Sequence, residues 1–287
     1  MGNDKKELNV SFLSKKKYTC PACDAVFQKE ELLSGSGRLI AGELTEELHR
    51  LYEPSAKYGE LYPLAYQATV CPECWFASMD SDFSALPDKN RGVVWNHREQ
   101  RVIDTELVFP GIDFHKPRGL AEGAASQYLV LRCYEYYDTD ISPTIKQGIA
   151  ALRAAWLLDE MDRKTPNQHY DWLAVLFRRK AQFFYNEAIR KEQSGEETLS
   201  GINTFGPDTD KNYAYEGVLY LAAYLRYKYG PSGDPEQRKN SLEDARRTIA
   251  RIFGMGKLSK GKPGPFMEHA RKIYDDINKE LNETDNA

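Results

Sequence analysis

The sequence predicts a mainly α-helical chain with a small β region near its N-terminus. Three observations carry that expectation. Two Cys-Pro-x-Cys units lie ahead of residue 75. Beyond about residue 119, apolar residues recur at the three-to-four-residue spacing of amphipathic helices. The segments that show this spacing are even in number and mostly joined by short links, as stacked helical hairpins require.

Composition sets the outer limits. With 287 residues, 41% of them hydrophobic and 29% charged, the chain has enough apolar material for a substantial core. At roughly 150 residues per domain it is expected to form two domains. The net charge of −4 gives no general attraction to a polyanion. No run approaches the roughly 18 apolar residues of a membrane span. The segment from Met1 to Cys20 lacks the apolar stretch of about 7–15 residues that a secretion signal contains. Lys6 stands where a myristoylation pattern needs a hydroxyl. The expectation is a cytoplasmic protein with no membrane contact.

Residues 1–17 are polar and lysine-rich and read as a flexible lead-in. Residues 18–118 form the cysteine region. Its units are Cys20-Pro21-Ala22-Cys23 and Cys71-Pro72-Glu73-Cys74, and each lies between short β-prone stretches: Lys17-Tyr18-Thr19 and Ala25-Val26-Phe27, then Ala68-Thr69-Val70 and Trp75-Phe76-Ala77. Two residues between cysteines let one tight turn aim both thiolates at one ion, and two such turns complete a tetrahedral shell. This is the pattern of a zinc ribbon. Four thiolates favour zinc, with iron as the chemical competitor, and a shell closed by four protein ligands makes the metal structural. Disulfides are disfavoured by a cytoplasmic location. The interval from Cys23 to Cys71 exceeds the roughly 15–20 residues of a compact finger, so it holds an insertion. Within it, Leu44, Leu48, Leu51 and Tyr52 read as one face of a short helix over residues 41–52. Residues 81–118, with Pro87, Pro110 and Pro117, read as an irregular connector.

Residues 119–287 form the helical-hairpin domain. Helices are expected near 119–137, 143–162, 167–192, 212–229, 236–254 and 265–282. Ser142-Pro143 and Asp234-Pro235 supply N-caps followed by proline, and Gly230-Pro231 supplies a stop. The third and fourth of these helices carry apolar residues on more than one stripe, as helices buried on two sides do. In the third, Trp172, Leu176 and Phe183 mark one stripe and Phe177, Ala181 and Phe184 another. In the fourth, Tyr213, Tyr220, Tyr224 and Tyr227 line one edge. The polar stretch from Ser194 to Lys211 reads as a mobile loop.

These residues resemble a known family. Tyr18-Thr19-Cys20-Pro21-Ala22-Cys23, then Tyr62-Pro63-Leu64-Ala65-Tyr66 ahead of Val70-Cys71-Pro72-Glu73-Cys74-Trp75-Phe76-Ala77, are similar to a bacterial family catalogued as domain of unknown function 2225. That family has Gly-Tyr where this chain has Trp75-Phe76. The resemblance covers most of the chain. It implies a two-pair metal-binding region followed by tetratricopeptide-like helices, and it implies no activity.

Other motifs carry less. Gly256 to Lys262 has phosphate-loop spacing, but Pro263 replaces the hydroxyl residue and the segment follows a helix instead of a strand. Glu46 and His49, three apart on the expected helix, make half of a di-iron motif with no second half. His97 and His115 are spare metal ligands at most, and Cys133 among apolar residues reads as a buried thiol. No nucleophile elbow or zincin helix is present. The chain is therefore expected to be a non-catalytic, zinc-stabilised scaffold for a protein or peptide partner, with Tyr213, Tyr220, Tyr224 and Tyr227 as contact residues. The alternative is a zinc-ribbon nucleic-acid binder using Lys15, Lys16 and Lys17, a basic run from Arg246 to Lys262, and stacking by Trp75 and Phe76. An enzyme would need a pocket between the two regions with convergent titratable groups.

Overall fold

The computed structural model describes residues 10–199, 202, 206–209, 211–254 and 264–285. Its β region consists of three antiparallel hairpins: β1 (Ser11–Thr19) with β2 (Val26–Leu32), β3 (Ile40–Leu44) with β4 (Arg50–Glu53), and β5 (Ala68–Val70) with β6 (Ala77–Met79). β1 begins inside the stretch read as a flexible lead-in, and a register shift between Leu13 and Lys17 bends it. The first and third hairpins carry the two cysteine turns at their tips, as the flanking residues predicted.

Two segments depart from the sequence reading. Residues 41–52 form the β3–β4 hairpin, not a helix. Its turn is closed by hydrogen bonds from the Leu48 amide to the Thr45 carbonyl (3.0 Å) and from the His49 amide to the Thr45 hydroxyl (3.2 Å). Leu48 sits at φ +59° and is fully buried. A leucine accepts that strained region only when surrounding contacts hold it there. The same turn plugs into the helices. Glu47 accepts from Trp156 Nε1 (2.5 Å) and Arg178 Nε (2.7 Å), and the Glu46 carbonyl accepts from the Tyr220 hydroxyl (2.7 Å). These long-range contacts override the local helix pattern.

The second departure is the connector, which contains α1 (Asp88–Asn96) and α2 (Arg98–Val108). Only Val94 of α1 is buried, and the buried residues of α2 are Arg101 and Thr105. A helix that buries an arginine and a threonine leaves no apolar stripe to read.

The remaining helices are α3 (Leu120–Cys133), α4 (Pro143–Lys164), α5 (Tyr170–Ser194), α6 (Ala214–Tyr229), α7 (Pro235–Gly254) and α8 (Gly264–Asp285). Each packs on its neighbour in sequence, and α6 also reaches α8. This is the expected hairpin array, with one redistribution. The helix buried all round is α4, where every residue from Pro143 to Leu158 is buried. α5 buries a single stripe (Ala174, Phe177, Ala181, Tyr185 and Ala188) and leaves Trp172 and Phe183 in solvent. α6 is buried continuously from Glu216 to Leu225.

The array is fixed to the β region through α3. A Cβ on Gly123 would lie 2.6 Å from the Cβ of Ala65, in the turn just before β5, so glycine permits this approach. One hydrophobic core runs from Tyr18 to Leu281. Among the described residues, no helix is long and apolar enough to cross a membrane.

Candidate metal centre

Each cysteine turn repeats one backbone design. The Cys20 amide donates to the Ala25 carbonyl (2.9 Å) and the Asp24 amide to the Cys20 carbonyl (3.0 Å); in the other turn, the Cys71 amide donates to the Phe76 carbonyl (2.9 Å) and the Trp75 amide to the Cys71 carbonyl (2.9 Å). The residue after the second cysteine is left-handed in both, with φ +60° at Asp24 and +56° at Trp75. Aspartate tolerates this region; tryptophan does not, and is held by its ring, which meets Phe114 edge-on at 5.2 Å.

Packing brings the two turns face to face. Cys20 and Cys74 Sγ are 3.6 Å apart, as are Cys23 and Cys71 Sγ, and all four sulfurs lie within 4.8 Å of one another. A tetrahedral ion with metal–sulfur bonds of about 2.3 Å needs sulfur–sulfur edges of about 3.8 Å. The cluster can therefore hold one metal ion with little movement. Cys20, Cys71 and Cys74 are buried, Cys23 is half-buried, and none forms a disulfide.

The electrostatics favour a cation. Hydrogen bonding with Cys20, and then with Cys74, holds the Cys71 thiol far below its usual range. Hydrogen bonding to Cys71 pushes Cys20 up to about 12, and hydrogen bonding with Cys20 pushes Cys74 up as well. Thiolates packed this closely repel one another, and a bound cation offsets that repulsion.

Groups around the sulfurs fasten the turns. Asp80 Oδ1 accepts from the Tyr18 hydroxyl (2.7 Å) in the first hairpin and from the Thr69 hydroxyl (2.9 Å) in the third. Arg101 is buried, with Nε and Nη2 donating to the Cys74 carbonyl (3.2 and 2.7 Å) and Nη1 to the Val94 carbonyl (3.2 Å). It has no carboxylate ion pair among the described residues. Its charge suits a cluster of four thiolates, which around a divalent ion is an anion of charge about −2. Sequence reasoning missed Arg101, because nothing in the α2 pattern marks it as buried.

The other sequence candidates fall elsewhere. Tyr213, Tyr220 and Tyr224 are buried, and Tyr227 is half-buried. The Tyr213 and Tyr220 rings pack on Phe266 of α8 and join helices, which takes these two out of the expected contact edge. Trp75 and Phe76 are likewise buried and are not available to stack on bases. Lys15, Lys16 and Lys17 are exposed on β1. Arg247 pairs with Glu243 and Asp244, while Lys257, Lys260, Lys262 and the whole phosphate-loop match lie outside the described residues.

His97 and His115 stand apart from the sulfurs, at the Tyr136 hydroxyl (2.9 Å) and near Glu73 (3.7 Å). Cys133 is fully buried, and burial pushes its thiol up. The described part of the stretch read as a mobile loop is pinned instead. Glu197 accepts from the Thr144 amide (2.8 Å), and the Pro207 carbonyl accepts from Arg153 Nε (2.5 Å).

Fold and site together define a class: mainly helical proteins that hold four cysteines on two facing knuckles. The chain belongs to the family described as uncharacterized protein conserved in bacteria (DUF2225), whose model matches residues 13–277. It is also similar to an uncharacterized protein of Borreliella burgdorferi (strain B31), with 41% identity over 272 residues, covering 95% of this chain and 98% of the relative. No solved structure matches the chain.

Proposed function

We propose that the chain is a non-catalytic scaffold, held together by one structural zinc ion, that docks a protein or peptide on its helical array. The donor set supports zinc: four thiolates at tetrahedral spacing suit it, and they leave no open coordination position for chemistry.

The observation that carries the docking reading is the outer face of α5. Trp172 and Phe183 are 59% and 58% exposed, and Val175 lies between them at 37%. Large apolar side chains gathered on one face of a long helix mark an interaction surface more often than scattered exposed residues do. This moves the contact surface from the tyrosines of α6 to α5.

The test is affinity capture from the native host at high salt, comparing wild type with a Trp172→Glu, Phe183→Glu double variant. The proposal expects a partner retained at high salt and lost with the variant. Recovery identical in the two proteins contradicts it. Binding that falls steeply with salt and disappears on charge reversal of Lys15 to Lys17 indicates nucleic acid instead.

A further inference from the structure

Away from the cysteines, three distant stretches converge on one imidazole. His49 comes from the β3–β4 turn, Trp156 from α4, and Asp208 from the segment between α5 and α6. The His49 ring stacks on Trp156, with centroids 4.2 Å apart and planes 11° from parallel. His49 Nδ1 is 2.6 Å from Asp208 Oδ2, and the Asp208 side chain is only 2% exposed. Both rings line a cavity of about 300 Å³ together with Tyr62, Leu157, Glu160 and Arg163. That volume is at the small end of the roughly 300–1,000 Å³ found for ligand sites.

The hydrogen bonds assign the tautomer. Asp208 also accepts from the Arg50 amide (2.7 Å) and the Thr209 amide (2.5 Å). Burial raises its carboxyl, but these bonds and the one to His49 outweigh it and hold the group below its ordinary range. A carboxylate only accepts, so His49 Nδ1 carries a proton, and Nε2 is the acceptor whenever the ring holds that one proton alone. Nε2 has no partner among the described residues.

The walls define what a bound molecule meets. Leu157, Trp156, Leu64 and Pro63 supply apolar surface. The cations at the rim are already engaged. Arg163 Nη2 donates to Glu160 (2.6 Å) and Glu60 (2.9 Å), and Arg50 Nη1 donates to the Gly42 carbonyl (2.8 Å). A phosphate or carboxylate would have to compete with Glu160 and Glu60 for Arg163.

We propose that this cavity binds a small, neutral, apolar molecule bearing one hydroxyl, such as a phenol, and that His49 Nε2 accepts the hydroxyl hydrogen. The ligand bridges the inserted hairpin and the helical array, because the cavity is built from both. The site is independent of the docking face on α5.

The test uses the full, metal-loaded chain and p-cresol, with 4-methylanisole as the same-sized probe that lacks the donor. Imidazole nitrogen resonances are followed by NMR, with His49 assigned from a His49→Gln variant. The proposal expects a saturable shift of the His49 Nε2 signal with p-cresol, with at least about tenfold weaker binding of 4-methylanisole, the difference one hydrogen bond makes. His49→Phe, which keeps the apolar stack on Trp156, should show the same loss for p-cresol. Absence of a saturable shift at millimolar p-cresol, equal binding of the two probes, or unchanged p-cresol binding in His49→Phe would each overturn it.

Discussion

Arg101 clasps the backbone carbonyl of Cys74 with two hydrogen bonds, from Nε at 3.2 Å and Nη2 at 2.7 Å. A buried cation from α2 is thereby spent on the residue that supplies a sulfur, and the carbonyl would otherwise be a buried acceptor without a donor. The cysteine turns depend on a helix far from them in sequence.

Arg101→Met tests that dependence. It leaves the Cys74 carbonyl unsatisfied and removes the nearby positive charge. The expected outcomes are a loss of about 1–3 kcal/mol in urea unfolding and metal binding weakened by about 10–100-fold in chelator competition. An unchanged metal affinity would reduce Arg101 to a packing role.

The two left-handed positions should respond differently to glycine. At Asp24 the side chain makes only an exposed ion pair with Arg91, so Asp24→Gly relieves the backbone and is expected to change stability by no more than about 1 kcal/mol. Trp75→Gly relieves the same strain but deletes a buried ring, and a net loss of about 2–3 kcal/mol is expected. Parallel urea titrations of the two variants measure the contrast.

Gly123→Val drives a side chain into Ala65 at the junction of α3 with the turn before β5. Overpacking at a close approach costs about 1–3 kcal/mol, and a β-branched residue cannot swing clear. Thermal unfolding should show the loss, and Gly123→Ala should show a smaller one.

Asp80 supplies a pH dependence of known sign. Burial alone would raise its carboxyl, but hydrogen bonds from Tyr18 and Thr69 and the charge of Lys29 bring it below the ordinary carboxylate value. A group lowered on folding stabilises fully above its unfolded pKa of about 3.9 and loses that contribution as pH falls through the folded value. Stability measured from about pH 5 downward should therefore decline more steeply in wild type than in Asp80→Asn. Parallel curves would show that Asp80 contributes no proton linkage.

Much of this fold was legible in the sequence because its signals are local. The paired Cys-Pro-x-Cys turns announce their hairpins, and α3 to α8 follow from apolar spacing and from the prolines at 143 and 235. What escaped reading has a non-local cause. Leu44 and Leu48 are spaced like one face of a helix, yet Leu48 fills a strained turn whose neighbours Glu46 and Glu47 are held by Trp156, Arg178 and Tyr220. α2 hides because its buried face is Arg101 and Thr105. The tyrosines of α6 read equally well as surface or core until Phe266 of α8 is seen against them. His49 and Asp208 are 159 residues apart, and no pattern in one chain joins them.

We infer that the four cysteines hold one structural zinc ion. Elemental analysis of the purified protein, alongside Cys20→Ala and Cys71→Ala, tests it most directly. About one zinc per chain is expected in the wild type, with both variants losing the metal and unfolding in part. Iron in its place, or a metal-free protein with its cysteines oxidised, would contradict it.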